Sequence, residues 1–355
     1  MKKLHLLTIV CVLLFPAVSH AQAKDQFPQL QPVPGTGELI DNPTTHFTFV
    51  AAGDNRPSGG KIKQPKTLSH ILKNLKRHNP RFVIWSGDTI GGFRLAGQPM
   101  HRAHLIKQYE RFFTDVAEAG VPVFNSPGNH EMDRVDKVKD GKKKGTIETP
   151  DKRMEKLYLE MMKYPSGAPP YGAFNYGNSR FIAVDTEEVP EELTLRSPGK
   201  TVANGLKLDP GFVSQKQIDL LEADLEANKD KTHIFVFMHH PINPAKNGSR
   251  LNKENADKLE KIFAKYKNVS FVIAAHEHIY YNFGGTQLDP AKRKSSSGGG
   301  PTYLVSGGAG APLDSCPANL TKNCLAAYHY LVFEVNGDEV EVKVKVLPAT
   351  IKKKS

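Results

Sequence analysis

Carboxylates, imidazoles and one carboxamide recur in this sequence directly after short apolar runs. Asp54 follows "FVAAG", Asp88 follows "VIWSG", and Asn129, His130 and Glu131 follow "VFNSPG". His239 and His240 close "FVFM", and "VIAA" runs into "HEH", which carries His276 and His278. Oxygen and nitrogen donors with no thiolate among them suit hard to borderline divalent or trivalent ions such as zinc, iron or manganese. Asp54, Asp88, Asn129, His239, His276 and His278 exceed the three or four ligands that one catalytic zinc takes while keeping a position open, so two ions fit better than one. Taken singly, each has an ordinary reading: a Gly-Asp after a strand caps a turn, and paired histidines are often surface polar groups. Five loaded strand ends in one chain are a different matter.

These residues can meet only if the intervening segments fold them together. Apolar, β-rich runs ("HFTFVAAGD", "RFVIWSGD", "VPVFNSPGNH", "FIAVDT", "HIFVFMHH", "VSFVIAAHEH", "TYLVSGG") alternate with helix-period segments such as "PKTLSHILKNLKRH" and "NKENADKLEKIFAKY". In "SQKQIDLLEADLEAN", Ile218, Leu221 and Leu225 share one face, with Ser214 as N-cap and Gln217 three residues on. Such alternation predicts an α/β fold with strands sandwiched by helices. Ligands of open α/β sheets bind outside the carboxyl ends of the strands, so residues from 54 to 278 are expected to converge. Near the end, "YHYLVFEVNGDEVEVKVKVLP" alternates apolar and polar residues on both sides of Asn336-Gly337, which predicts a C-terminal β-hairpin and therefore a mixed sheet.

Composition narrows the setting. The opening "MKKLHLLTIVCVLLFPAVSHAQAKD" reads as a secretory signal over residues 1–21, with cleavage after Ala21 or Ala23, and its apolar run is too short to span a bilayer comfortably. The expectation is a periplasmic or secreted protein with no membrane anchor after cleavage. Of the three cysteines Cys11 lies in that leader, leaving Cys316 and Cys324 to pair as a structural disulfide in an oxidising compartment. The formal charge of +11 sits largely in lysine runs such as "KVKDGKKKG" and the terminal "IKKKS". Such aromatic-poor runs read as solvated loops; no specific nucleic-acid binding is expected, though a positive field favours encounter with anionic substrates. Residues 22–45 read as an N-terminal extension, 46–348 as one domain and 349–355 as a basic tail, with 287–301 as a mobile surface loop. No Gly-x-Ser-x-Gly elbow, His-Glu-x-x-His or Walker loop occurs, and "SGGAGAP" runs into proline rather than a helix.

The set "GDNR", "GDTIGG", "GNHE", "HHP" and "AHEH" resembles the calcineurin-like metallophosphoesterase superfamily, whose pattern is Asp-x-His, Gly-Asp-x-x-Asp, Gly-Asn-His-Asp/Glu, a lone His and Gly-His-x-His. The likeness spans roughly residues 46–310, and "YGAFNYGNSRFIAVDTE" and "YLVSGGAGA" are similar to phrases of its purple acid phosphatase-like branch. The resemblance implies a four-layer α/β/β/α sandwich around a dinuclear metal centre. Asp54, Asp88 and His278 would hold one ion, with Asp88 bridging, and Asn129, His239 and His276 would complete the other. A shared hydroxide would attack the phosphorus of a phosphate mono- or diester, and the substrate would be a phosphorylated small molecule or nucleotide. His130 would protonate the leaving oxygen, with Glu131 orienting its ring. His240 is expected beside the site rather than in it.

Two positions depart from the pattern. Arg56 stands where the family has a histidine ligand, which deprives the first ion of one donor; the arginine would either clamp a phosphate oxygen or pair with Asp54 or a neighbouring carboxylate. Gly91 stands where the purple enzymes carry a ligand tyrosine, so no tyrosinate absorption band is expected. The competing reading is a catalytically weak or inactive metal- or phosphate-binding protein on the same scaffold. His130 and Glu131, which binding alone does not require, argue against it.

Overall fold

A computed structural model of the chain describes residues 27–58, 60–92, 94–95, 98–99, 101–132, 135–140, 143–148, 153–188, 211–285, 291–294 and 299–348. Residues 1–26, 189–210 and 349–355 lie outside the described residues, and with them the expected leader and basic tail.

Strands β1 (His46–Ala52), β2 (Val83–Ser86) and β3 (Val123–Ser126) run parallel in a first sheet. The second sheet is built on β4 (Gly172–Tyr176), β5 (Ser179–Ala183), β6 (His233–Phe237), β7 (Val269–Ala274) and β8 (Tyr280–Asn282). After β9 (Ala291–Lys294) come β10 (Thr302–Ser306), β11 (Cys324–Leu325), β12 (His329–Asn336) and β13 (Glu339–Val346). The strand orders are β9-β13-β12-β1-β2-β3 and β11-β8-β10-β7-β6-β5-β4. Both sheets are mixed: β5, β6, β7 and β10 are parallel, whereas β12 lies antiparallel to β1. The hairpin expected at Asn336-Gly337 is β12–β13, with Asn336 opposite Glu339 and Gly337 at φ 65°.

Three apolar layers arise from the alternation of side chains along each strand. Phe49 and Ala51 of β1 face the second sheet, packing with Phe181, Phe235 and Phe271. Val50 and Ala52 face outward onto α1 (Lys66–Leu75) and α2 (Arg102–Ala117) through Leu68, Ile71, Leu72 and Phe112. On the other side α5 (Gln215–Ala227) and α6 (Lys253–Lys265) cover Val236 and Val272 with Ile218, Leu221, Leu225, Leu259 and Phe263. Two shorter helices, α3 (Asn129–Met132) and α4 (Arg153–Met161), come after β3. The order is therefore helix, sheet, sheet, helix. Rings stack directly across the interior, Phe124 on Phe174 at 3.8 Å between centroids. Ser214 caps α5 by accepting from the Gln217 N–H at 3.2 Å.

Two expectations change. The stretch 287–301 is not wholly loop: its residues 291–294 pair with β13 as an edge strand. The lysine-rich stretch after β3 forms a hairpin, Val135–Asp140 with Lys143–Glu148. The extension ahead of β1 is stitched to both sheets, Leu30 N–H donating to Ala173 O and Val33 N–H to Val123 O. Cys316 and Cys324 form a disulfide, as expected. Replacing both by Ser should cost about 2–3 kcal/mol, the loop-closure entropy restored to the unfolded chain. Urea unfolding measures it, and a loss below about 0.5 kcal/mol would contradict that role.

Candidate metal centre

Four parallel strands end at one rim: β1 leads to Asp54, β2 to Asp88, β6 to His239 and β7 to His276. Asp54, Asp88 and His276 adopt left-handed backbone conformations, with φ of 62°, 55° and 67°. Non-glycine residues persist there only when their surroundings hold them, and such strain gathers at functional sites. Gly128 is needed for the close approach of the β2 and β3 loops, because a Cβ there would stand 2.5 Å from Asp88 Oδ1.

Asp54, Asp88 and His239 are fully buried and offer ligand atoms within 4.8 Å of one another. A second group of contacts surrounds His239 Nε2: Asn129 Oδ1 at 2.9 Å, His276 Nδ1 at 3.3 Å and Asp88 Oδ1 at 3.4 Å. Asn129 Oδ1 is also 3.2 Å from His276 Nδ1. His239 Nδ1 lies 2.8 Å from Ser86 O, which fixes the proton on Nδ1 and leaves a lone pair on Nε2. Carboxylate, carboxamide and imidazole atoms thus crowd about one point, an arrangement that a cation between them would satisfy. Tetrahedral donors at the usual zinc distances are about 3.3–3.4 Å apart, so the spacing fits an ion.

On the other side Asp54 Oδ2 accepts from the His276 N–H at 2.8 Å, while Asp54 Oδ1 is buried with no hydrogen-bond partner. His278 Nε2 lies 3.6 Å from that orphaned oxygen, and its Nδ1 is held by Pro312 O at 2.7 Å. In the metal-free protein the His278 ring is the nearest positive group to that oxygen, a place that a metal ion would take. The donors present thus fit metal ions at both positions.

The electrostatics are those of a site built for positive charge. Burial works to raise the Asp88 carboxyl, but His130, His239 and Arg56, with the His130 N–H, bring it down to about 2. Burial depresses His276 well below the usual histidine range, helped by the neighbouring His240 and His239, and keeps it a neutral donor. For His278 burial pulls downward, yet Asp54 and the Pro312 carbonyl raise it to about 9.

Glu131 is placed differently from expectation, away from the His130 ring. His130 Nδ1 faces Gly91 O at 2.9 Å, so that carbonyl orients the ring, and its Nε2 looks toward Asp88 Oδ2 at 3.7 Å. Glu131 is turned away from the ring. Its Oε1 accepts from Thr89 N–H, Ile90 N–H and the Thr89 hydroxyl, and its Oε2 from Asp88 N–H and Gly128 N–H. Successive residues of a helical turn point about 100° apart, which is why neighbours in sequence part company here. Burial and the Asp88 charge push Glu131 up to about 7. A cation on Asp88 would remove the second of these pushes, and five donors call for a carboxylate. Arg56 takes the ion-pair option, Nε 3.4 Å from Asp88 Oδ2. His240 is buried beside the site, its Nδ1 2.5 Å from Glu187 and its ring 4.0 Å from that of His276.

Other contributors escaped the sequence reading. Glu277, between the two histidines of "HEH", is buried and accepts from the Ala245 and Lys246 N–H groups, tying the loop after β6 to the site. Asp314 accepts from the His278 N–H. An acidic residue inside an apolar strand end was the available signal for Glu277; Asp314 had none.

Strand ends charged in this way on a two-sheet sandwich make a site fit for metal ions. The calcineurin-like phosphoesterase family matches residues 45–280, more than half of the chain, and the chain belongs to that family. Among solved structures it is similar to a purple acid phosphatase from yellow lupin (Lupinus luteus) seeds, with a TM-score of 0.55 and 16% identity over 89% of this chain and 54% of that one. It thus spans about half the length of the lupin protein. A dimetal phosphatase from Danio rerio matches with a TM-score of 0.55 and 16% identity over 84% of this chain and 96% of that one. PhoD matches at 0.56 and 14%, over 89% and 68%. At these identities the likeness is one of fold. No curated protein matches the chain. Among the described residues no helix is long and apolar enough to cross a membrane.

Proposed function

We propose that the chain is an exported dinuclear phosphoesterase acting on phosphate mono- or diesters of small molecules or nucleotides. One ion would be held by Asp88, Asn129, His239 and His276, the other by Asp54, Asp88 and His278. The observation that carries this reading is the convergence of Asn129 Oδ1, His276 Nδ1 and Asp88 Oδ1 on His239 Nε2 at 2.9, 3.3 and 3.4 Å. Bound ions of the zinc, iron or manganese type would lower the pKa of water and offset charge on the phosphoryl oxygens.

The chain's own groups supply the rest. Ser86 O and Pro312 O hold the His239 and His278 rings in the tautomers whose Nε2 lone pairs face the ions. Gly91 O does the same for His130, whose half-buried Nε2 is the group placed to give a proton to the leaving oxygen. Export is supported by the leader-like first 21 residues and by the disulfide, which belongs to an oxidising compartment.

Hydrolysis of p-nitrophenyl phosphate and bis-p-nitrophenyl phosphate by metal-stripped protein, before and after adding Mn²⁺ or Zn²⁺, is the test. Turnover is expected only after metal addition. His130→Ala should lower kcat about 10²–10⁴-fold with bound metal unchanged. If the loaded protein binds phosphate yet turns over neither ester, the scaffold is a binding protein, a reading favoured by the missing histidine at position 56.

A further inference from the structure

The two oxygens of Asp88 look in opposite directions. Oδ1 faces the His239 cage at 3.4 Å, and Oδ2 faces the Arg56 guanidinium, also at 3.4 Å. Oδ2 is the oxygen that would reach the ion shared with Asp54 and His278, and Arg56 occupies the sequence position at which the family pattern places that ion's histidine. The second position is thus short of a donor and already has a cation against its carboxylate. The first has four neutral or anionic donors at ligand spacing and no cationic side chain among them.

The Arg56 Nε is buried and makes no hydrogen bond, its approach to Asp88 falling short of hydrogen-bond geometry. Asp54 Oδ1, on the opposite side, is likewise buried and unbonded. The guanidinium therefore offsets part of the charge of Asp88.

Resting on the proposed dinuclear reading, we propose that the centre fills unequally. The Asp88–Asn129–His239–His276 cage retains one ion. Arg56 supplies the positive charge opposite Asp88 Oδ2, so the Asp54–His278 position takes a second ion only weakly. Like charges in a buried site repel strongly, and a missing ligand weakens binding independently, so both effects act in one direction. The family's paired ions would here be one resident ion and one exchangeable ion.

The test is metal stoichiometry, independent of turnover. Full-length protein, stripped with chelator, is titrated with Zn²⁺ in a calorimeter, and Mn²⁺-loaded samples are read by electron paramagnetic resonance. Wild type is expected to retain one ion per chain after gel filtration, to bind a second at least 100-fold more weakly, and to show the six-line signal of isolated Mn²⁺. Arg56→Leu, which removes the charge and adds no ligand, should tighten the second step at least tenfold. Arg56→His, which also restores an imidazole, should retain two ions and give an exchange-coupled signal. Adding His278→Ala to that variant should return it to one. Two wild-type sites within tenfold of each other, or an unchanged second step in Arg56→Leu, would overturn the proposal while leaving the dinuclear reading intact. If Arg56→His fails to fold, the Arg56→Leu titration decides alone. If no form binds metal, both readings fall.

Discussion

Asp88→Asn is expected to lower kcat/KM for a phosphate ester at least about 10³-fold, roughly 4 kcal/mol of transition-state stabilisation. The carboxylate is buried, yet His130, His239 and Arg56 overcome the cost of burial and hold it at about 2, so it is anionic throughout the physiological range. A group whose folded pKa lies below its ordinary value stabilises the fold above that ordinary value, near 3.8, and loses the contribution only as pH falls through about 2. Asparagine keeps the shape and removes the charge on which both proposed ions would depend. Its amide NH₂ must also face either the His239 Nε2 lone pair or the Arg56 guanidinium. In the first orientation it occupies a lone pair that metal requires; in the second, donors oppose donors. Neither orientation is free in the metal-free fold: the first also sets the new NH₂ against the His130 N–H, which donates to Asp88 Oδ1 at 3.1 Å, and both remove the charge opposite Arg56. The expected pattern is therefore a lowered melting temperature without metal, loss of the zinc-induced rise expected of wild type, and loss of activity. Elemental analysis with thermal melts separates these effects. More than a tenth of wild-type activity with full metal content would mean Asp88 is not shared between ions.

The parts of this centre that could be read from the sequence are those governed by strand geometry. Asp54, Asp88, Asn129, His239, His276 and His278 each come after an apolar run, and parallel strands bring the residues beyond their carboxyl ends to one rim. The Asn336-Gly337 turn and the Ser214 cap were legible for a related reason, since each rests on chemistry within a few residues. Three kinds of information were not. The tautomers of His239, His278 and His130 are set by the carbonyls of Ser86, Pro312 and Gly91, and every residue type carries a carbonyl. The edge strand at 291–294 is "AKRK", a composition that resembles a loop. Side-chain direction within the short α3 separated Glu131 from His130, where adjacency in sequence pointed to contact.

That separation makes Glu131→Gln the substitution with the largest expected structural effect, a destabilisation of about 3–5 kcal/mol in the metal-loaded protein. Oε1 accepts from three donors at 2.7, 3.0 and 3.1 Å, and Oε2 from two, each at 2.8 Å. An amide has one acceptor oxygen. If its nitrogen replaces Oε2, the N–H groups of Asp88 and Gly128 lose their partner and meet another donor; if it replaces Oε1, three donors do. Each buried donor left unsatisfied costs about 1–3 kcal/mol, and neither rotamer orphans fewer than two. The loss also reaches the chemistry, because the Asp88 N–H and the Gly128 N–H that Glu131 clamps belong to the two loops carrying Asp88 and Asn129. Removing the clamp should therefore lower bound metal as well as stability, with kcat/KM down at least about 10²-fold. An orienting role for the His130 ring predicts the opposite pattern: reduced kcat, with stability and metal content unchanged. Denaturant unfolding and elemental analysis of this one variant decide between the two, and a stability within about 1 kcal/mol of wild type would remove Glu131 from the scaffold of the site.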